Sequence, residues 1–148
     1  MLDKKFILVG SNSFLSQNFS SFLRKKKIKF LLANNIKLAL KLGLDGAYIP
    51  SFNKKFSHLS YSIYPNFIIL GSAHNLKEIR IKELQKVQSI FISSLFKKNK
   101  NHLGLNKFKI ISKYSRKKIV ALGGITKQNL KKLKLINISK FAGISYFE

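Results

Sequence analysis

Two adjacent glycines near the end of the chain are the residues with the clearest chemical use. Gly123 and Gly124 end the apolar run at residues 119–122, and Thr126 then begins a lysine-rich segment with helical character up to Leu133. A buried strand that passes through glycines into a helix is typical of a βα junction. Glycines there let a ligand approach the backbone, whose N–H groups can face an anion. The spacing therefore indicates a turn at which an anionic ligand could approach the backbone.

A second apolar run follows about one βα unit later, at residues 141–145. Its last residues, Ile144 and Ser145, could line the same place as the two glycines. The pattern leaves an alternative open, in which both runs are only packed strands with turn glycines.

The remaining elements must position these turns. Apolar runs alternate along the chain with segments of helical character, among them residues 14–27, 36–42, 75–84 and 106–115. Such alternation predicts a parallel sheet with helical crossovers. We expect about seven strands, at residues 6–9, 30–33, 47–49, 67–70, 89–92, 119–122 and 141–144.

The length of 148 residues fits one domain, residues 1–148, with its own core. A closed (β/α) barrel has eight strands and typically about 250 residues. Length and strand count alone therefore favour an open doubly wound sheet by a small margin.

The chain is strongly basic, with 29 Lys+Arg against 5 Asp+Glu and a net charge of +24. Only Arg24, Arg80 and Arg116 are arginines, the residue type that recognises bases and phosphates with planar geometry. A solvated lysine surface is the favoured interpretation, an anionic small-molecule ligand comes second, and nucleic acid is the least favoured partner. Without cysteine or an apolar run of membrane-spanning length, the sequence predicts a cytoplasmic protein without a membrane partner.

Several motifs in order resemble those of one family. They are the stretch at residues 30–49, which ends in Leu-Gly-Leu-Asp-Gly-Ala-Tyr-Ile, then Ser72-Ala-His-Asn-Leu76, Leu95-Phe96, Leu103-Gly-Leu105, residues 119–125 and residues 142–145. Over about residues 30–147 the chain resembles the thiamine-phosphate synthase and TenI-like family. That resemblance implies a truncated TIM-type (β/α) barrel of about seven parallel strands that lacks the first βα unit. Residues 1–29 are then a divergent or mosaic βα unit.

The family joins an aminopyrimidine diphosphate to a thiazole phosphate and releases diphosphate with the help of Mg²⁺. The resemblance implies that the backbone at Gly123, Gly124, Ile144 and Ser145 holds the thiazole phosphate. It implies a catalytic position for Ser72, which faces the leaving diphosphate or the pyrimidine. The implied partners are phosphorylated small molecules of thiamine biosynthesis.

The sequence also departs from the family pattern. Neutral Asn34 and Asn53 stand where the family has its two magnesium-binding carboxylates, so Mg²⁺ is expected from the family although its acidic ligands are absent. Lys100 lies in the loop that holds phosphate in the family and could meet an anion as a point charge. Ser94 occupies the position of the histidine of the TenI branch.

Three hypotheses follow: a divergent synthase-like enzyme, a catalytically degenerate phosphate-binding or regulatory barrel, and a basic nucleic-acid-binding protein. Whether the chain is an enzyme stays open at this point. An incomplete barrel would also have two open sheet edges, which predicts self-association.

Overall fold

A computed structural model describes residues 7–10, Phe22 and residues 25–143. The predicted site residues Ile144 and Ser145, and most of the predicted helix at residues 14–27, lie outside these described residues. The chain divides into two compact units, Met1–Leu70 (unit 1) and Gly71–Glu148 (unit 2).

Unit 1 contains parallel strands that follow one another along the chain. Strand β1 pairs with β2, and β2 pairs with β3 through Leu31 opposite Gly46. The elements are β1 Ile7–Gly10, β2 Lys29–Ala33, α1 Ile36–Lys41, β3 Gly46–Ile49, a 3₁₀ helix Ser57–Ser60 and the start of β4, Ile68–Ala73.

The core of unit 1 forms around β2, whose residues Phe30, Leu31 and Leu32 are all buried. Three consecutive buried apolar residues are the mark of a strand that is covered on both faces. Asp45 fixes the start of this strand, since its Oδ2 accepts the Phe30 N–H at 2.9 Å. Gly46 lies so close to β4 that an added Cβ would be 2.1 Å from the Ile68 carbonyl oxygen, so the close strand packing requires glycine.

Unit 2 repeats the alternation of strands and helices. Strand β5 pairs in parallel with β6, and β6 pairs in parallel with β7. The elements that follow β4 are α2 Leu76–Leu84, β5 Ser89–Ile92, α3 Gly104–Lys113, β6 Lys118–Leu122, a 3₁₀ helix Leu130–Ile136 and β7 Phe141–Ala142.

Helix α2 begins with a capping arrangement at Asn75 and Glu78. The Asn75 Oδ1 accepts the Glu78 N–H at 2.9 Å, and the Glu78 carboxylate accepts the His74 N–H at 2.7 Å. The His74 ring also contacts this carboxylate, at 3.0 Å. Two backbone donors at the helix start are satisfied in this way.

The same helix carries a fully buried lysine. The Lys82 stem packs on Gly71 of β4, and its Nζ donates to the Gln85 Oε1 at 2.9 Å. Burial lowers the pKa of Lys82 to about 8, although the nearby Glu78 carboxylate acts in the opposite direction.

The structure confirms the α/β class and the parallel pairing, and strand β5 coincides with the predicted run at residues 89–92. Residues 51–65, between β3 and β4, hold the short 3₁₀ helix Ser57–Ser60. None of the helices in the described part of the chain has the length and apolarity needed to cross a bilayer.

The predicted helix from Thr126 to Leu133 is wrong, because this segment begins as a turn and then forms the 3₁₀ helix Leu130–Ile136. Asn129 and Thr126 bond to each other at the start of the segment. The Asn129 Oδ1 accepts the Thr126 N–H at 2.9 Å, and the Asn129 backbone N–H donates to the Thr126 Oγ1 at 3.3 Å. Together with the Asn129 side-chain bond to the Gly124 oxygen, this pair holds residues 124–129 in a turn, and the 3₁₀ helix begins only after it, at Leu130.

Candidate phosphate-binding turn and amide cleft

The glycine turn, Gly123-Gly124, directly follows β6 in unit 2. Both residues have positive φ, +103° and +71°, which L side chains rarely adopt. An added Cβ on Gly123 would lie 2.5 Å from the Ser94 Oγ, and one on Gly124 would lie 2.6 Å from the Lys97 backbone nitrogen. Conformation and space therefore both require glycine at these two positions.

Three consecutive carbonyl groups hold the turn in place. The Leu122 oxygen accepts the Leu95 N–H at 3.0 Å. The Gly123 oxygen accepts the N–H groups of Phe96 and Lys97, at 2.9 and 3.2 Å. The Gly124 oxygen accepts the side-chain N–H of Asn129 at 2.7 Å. The loop after β5 and the segment after the turn thus fix the direction of all three peptide groups.

Those peptide bonds are trans, so each C=O points opposite to the N–H of the next residue. The N–H groups of Gly123 and Gly124 therefore point away from the loop that holds the carbonyls, and the Ile125 N–H points away from the Asn129 side chain. Both glycines are partly exposed. The Gly123 N–H thus faces β7, with which β6 pairs up to Leu122, whereas the Gly124 N–H belongs to a partly exposed residue and is the donor of this turn best suited to an anion.

Ser94 is the residue that fastens the loop. Its side chain is buried, and its Oγ donates to the Lys97 carbonyl oxygen at 2.8 Å. Its backbone N–H donates to the Asn101 oxygen, and its carbonyl accepts the Leu103 N–H. Every one of these bonds is structural, so the residue at the position of the TenI-branch histidine supports the turn.

The loop also places a lysine beside the turn that no motif in the sequence indicates. The Lys97 N–H bonds to Gly123, and its Cβ lies 3.2 Å from the position of an added Gly124 Cβ. Lys100, the predicted anion contact, is an exposed residue of the same loop. No spacing signal in the sequence distinguishes these two lysines, because their placement depends on how the loop folds onto β6.

Ser72 lies inside β4 and is almost fully buried, with 6% of its surface exposed. No hydrogen bond among the described residues joins it to the glycine turn. Its catalytic role stays a prediction. The neighbouring His74 makes a local contact with the Glu78 carboxylate.

A second candidate site, here called the amide cleft, lies in unit 1 and has a volume of about 130 Å³. At its side the Asn53 Nδ2 donates to the Asn34 Oδ1 at 2.6 Å, and the Asn53 Oδ1 accepts the Lys55 N–H at 2.9 Å. The cleft is lined by Asn34, Asn35, Ile36, Lys37, Ile49, Asn53, Lys55, Ser57, His58 and Tyr61.

The donor set of the amide cleft does not fit Mg²⁺. Both amide oxygens already accept hydrogen bonds, and none of the lining residues supplies an anionic oxygen. Mg²⁺ is bound in proteins mainly through carboxylates and phosphates. Across the residues that the structure describes, no group of three or more His, Cys, Asp or Glu could hold a metal ion.

Comparisons with known proteins agree with these features. The family model for thiamine monophosphate synthase matches residues 15–147. A thiamine-phosphate synthase of Methanococcus vannielii is 28% identical over 78% of this chain and 58% of its own length. One of Pelagibacter ubique is 29% identical over 88% of this chain and 65% of its own length. The chain thus spans less than two thirds of these two relatives.

The fold is similar to that of the thiamine phosphate pyrophosphorylase from Pyrococcus furiosus, with a TM-score of 0.71 and 18% identity. The match covers 93% of this chain and 71% of the Pyrococcus chain. The motifs of the glycine turn and of residues 30–49, the match over most of the chain and this shared fold agree with one another. The chain belongs to the thiamine monophosphate synthase family.

Proposed function

We propose that this chain is a divergent thiamine-phosphate synthase-like protein that binds a thiazole phosphate at the glycine turn and has a weakened metal site. In this function it acts on phosphorylated small molecules of thiamine biosynthesis in the cytoplasm. The main support for this proposal is the hydrogen bonding of the glycine turn. The carbonyl oxygens of residues 122–124 are all held by hydrogen bonds, so the direction of the N–H group that follows each of them is fixed, and the Gly124 N–H lies at a partly exposed turn.

The chemistry of a phosphate fits this turn. Backbone N–H groups at a βα junction can bind phosphate directly, without a charged side chain. Lys97 and Lys100 are exposed lysines of the adjoining loop and add positive charge near the turn. We propose that the backbone of Ile144 and Ser145, which lie outside the described residues, binds the same phosphate.

A thermal-shift titration with thiazole phosphate tests the binding part. The melting temperature should rise with ligand concentration, since a ligand that binds only the folded state stabilises it. No shift at millimolar ligand would remove the proposal. A Lys97→Ala variant, which removes a positive charge beside the turn, should reduce the shift, whereas the exposed Lys113→Ala variant should keep it.

An activity assay tests the catalytic part. With hydroxymethylpyrimidine diphosphate, thiazole phosphate and Mg²⁺, the purified protein should form thiamine phosphate above background, and Ser72→Ala should lower the rate. Absence of product beside an active synthase control would leave the second candidate, a catalytically degenerate phosphate-binding barrel. The Asn34–Asn53 amide pair favours this second candidate, because an amide pair holds Mg²⁺ weakly.

The proposal extends to the fold. We infer a TIM-type (β/α) barrel, and we propose that exposed sheet edges promote self-association. The likeness to the Pyrococcus chain supports the barrel type. Light scattering after size-exclusion chromatography should detect dimers or larger species, and a stable monomer at all concentrations would contradict this part.

A further inference from the structure

We propose that the amide cleft binds the phosphate groups of a diphosphate-class ligand without a divalent metal, with Lys37 and Lys55 supplying the positive charge. This inference deepens the proposed function, because diphosphate is the group that the family reaction releases. It concerns unit 1 alone and does not depend on the glycine turn.

The orientation of the two amides is the first step. The Asn53 Oδ1 accepts a backbone N–H of Lys55, which can only donate, so the Asn53 Nδ2 must be the group that faces Asn34. The atom of Asn34 that meets it is therefore the oxygen. The two oxygens that a cation would need are both used, and Asn34 keeps its Nδ2 as a donor.

The charge around the cleft is the second step. Two lysines are among the lining residues, and none of the lining residues is acidic. Neutral amides take the place of two carboxylates, so the cleft lacks the negative charge that would attract Mg²⁺. An anion, by contrast, meets the ammonium groups of Lys37 and Lys55 and the donors of the amide pair.

The size of the cleft is the third step. Its volume of about 130 Å³ lies below the roughly 300–1,000 Å³ typical of pockets that enclose a whole drug-sized ligand. It suits a phosphate or diphosphate group better than a complete organic substrate. The Asn34 backbone, with a φ of +60°, fixes the position from which this side chain reaches the cleft.

The metal dependence of binding separates this inference from a conventional magnesium site. Mg²⁺ forms a complex with inorganic diphosphate in solution and reduces its negative charge. A cleft that binds through lysines should therefore bind diphosphate equally well or more tightly in EDTA than in Mg²⁺. A magnesium-dependent site would show the reverse order.

Isothermal titration calorimetry with inorganic diphosphate, in EDTA and in Mg²⁺, is the direct experiment. We expect binding in EDTA that weakens as ionic strength rises, because exposed charges are screened by salt. The K37A/K55A variant should bind roughly tenfold more weakly or worse, as two ammonium groups close to the anion are lost. The control Lys41→Ala removes an exposed lysine from the same helix, outside the cleft lining, and should bind as the unchanged protein does.

A second variant reverses the proposed chemistry. In N34D/N53D two carboxylates return to the cleft, and Asp tolerates the left-handed backbone of Asn34. This variant should lose diphosphate binding in EDTA and regain it in Mg²⁺. The inference is overturned if the unchanged protein needs Mg²⁺ to bind diphosphate, if it binds none, or if K37A/K55A binds as tightly as Lys41→Ala.

The thiazole-phosphate titration distinguishes this inference from the proposed function. The K37A/K55A variant should keep the full thermal shift with thiazole phosphate, since the glycine turn is unchanged. A protein that shows this shift but binds no diphosphate would contradict the metal-free cleft and leave the proposed function standing. A protein that binds diphosphate in EDTA but shows no thermal shift with thiazole phosphate would support the metal-free cleft and contradict the proposed thiazole-phosphate site.

Discussion

The Ser94 Oγ occupies the space in which Gly123 would carry a side chain, with only 2.5 Å between that oxygen and an added Cβ. The Ser94 Cα lies 2.9 Å from the same point, so a rotation of the hydroxyl does not relieve the contact. A Gly123→Ala change therefore combines overpacking with a φ of +103°. We expect it to lower the free energy of unfolding by roughly 2–5 kcal/mol, measured by urea denaturation.

Gly43→Ala is the matched control for that variant. Gly43 also has a positive φ, +61°, but nothing lies within 4 Å of an added Cβ. Gly43→Ala should therefore lower the free energy of unfolding only through backbone strain, by about 1–2 kcal/mol. Equal losses in the two variants would show that the contact with Ser94 contributes nothing.

The structure and the sequence agree best where local pattern decides the outcome. The apolar run at residues 89–92 is strand β5, and the capping pattern of Asn75 and Glu78 forms at the start of α2. The reason is that burial on both faces and a short-range cap are encoded within a few residues.

Agreement is weaker where distant segments meet. The sequence indicates that Gly123 and Gly124 form a turn, but not that residues 94–97 pack against it. Lys97 lies beside the turn for the same reason, since its position depends on how the loop packs against β6 and not on a local pattern. The segment after Thr126 differs from the prediction because two side-chain bonds of Asn129, to the Thr126 N–H and to the Gly124 oxygen, hold residues 124–129 in a turn that the composition of the segment does not reveal.

Asn129 offers a test of how the turn is positioned. In Asn129→Asp the side chain keeps an acceptor for Thr126 but loses the donor that holds the Gly124 carbonyl oxygen. Removing one partner of such a bond costs about 1–3 kcal/mol when the other is left unsatisfied. We expect a lower melting temperature and a smaller thermal shift with thiazole phosphate. The exposed Gln128→Ala change should alter neither, and an unchanged shift in Asn129→Asp would separate this residue from phosphate binding.

Glu83 connects α2 to the segment before β6 and predicts a weakness in acid. Its burial alone would raise its pKa, but the Arg116 N–H at 2.6 Å and the Arg80 guanidinium at 2.5 Å outweigh this and lower the pKa. The ionised form is thus favoured in the folded protein. Its stabilisation is present above the unfolded pKa of 4.5 and is lost as the pH falls through the lower folded value.

The Glu83→Gln variant isolates this contribution. Urea denaturation should give a free energy of unfolding about 1–2 kcal/mol lower than that of the unchanged protein at pH 7, since bonds to a charged group are lost. The gap should narrow as the pH falls from 5 to 3. A gap that stays constant over this range would show that the charge of Glu83 is not what stabilises the contact.

Lys82 predicts the opposite behaviour in alkali. Its pKa is about 8 in the folded protein and 10.5 when exposed, so between these values the unfolded chain binds more protons. The free energy of unfolding should therefore rise with pH over this interval, by up to roughly 3 kcal/mol, as the buried ammonium becomes neutral.

A double variant tests this assignment. In K82M/Q85M both buried polar partners become apolar, which avoids leaving the Gln85 oxygen without its donor. Denaturation curves from pH 7 to 10 should show the rise in the unchanged protein and in the exposed-site control Lys77→Met, and should lack it in the double variant. If the double variant shows the same rise, groups other than Lys82 cause it.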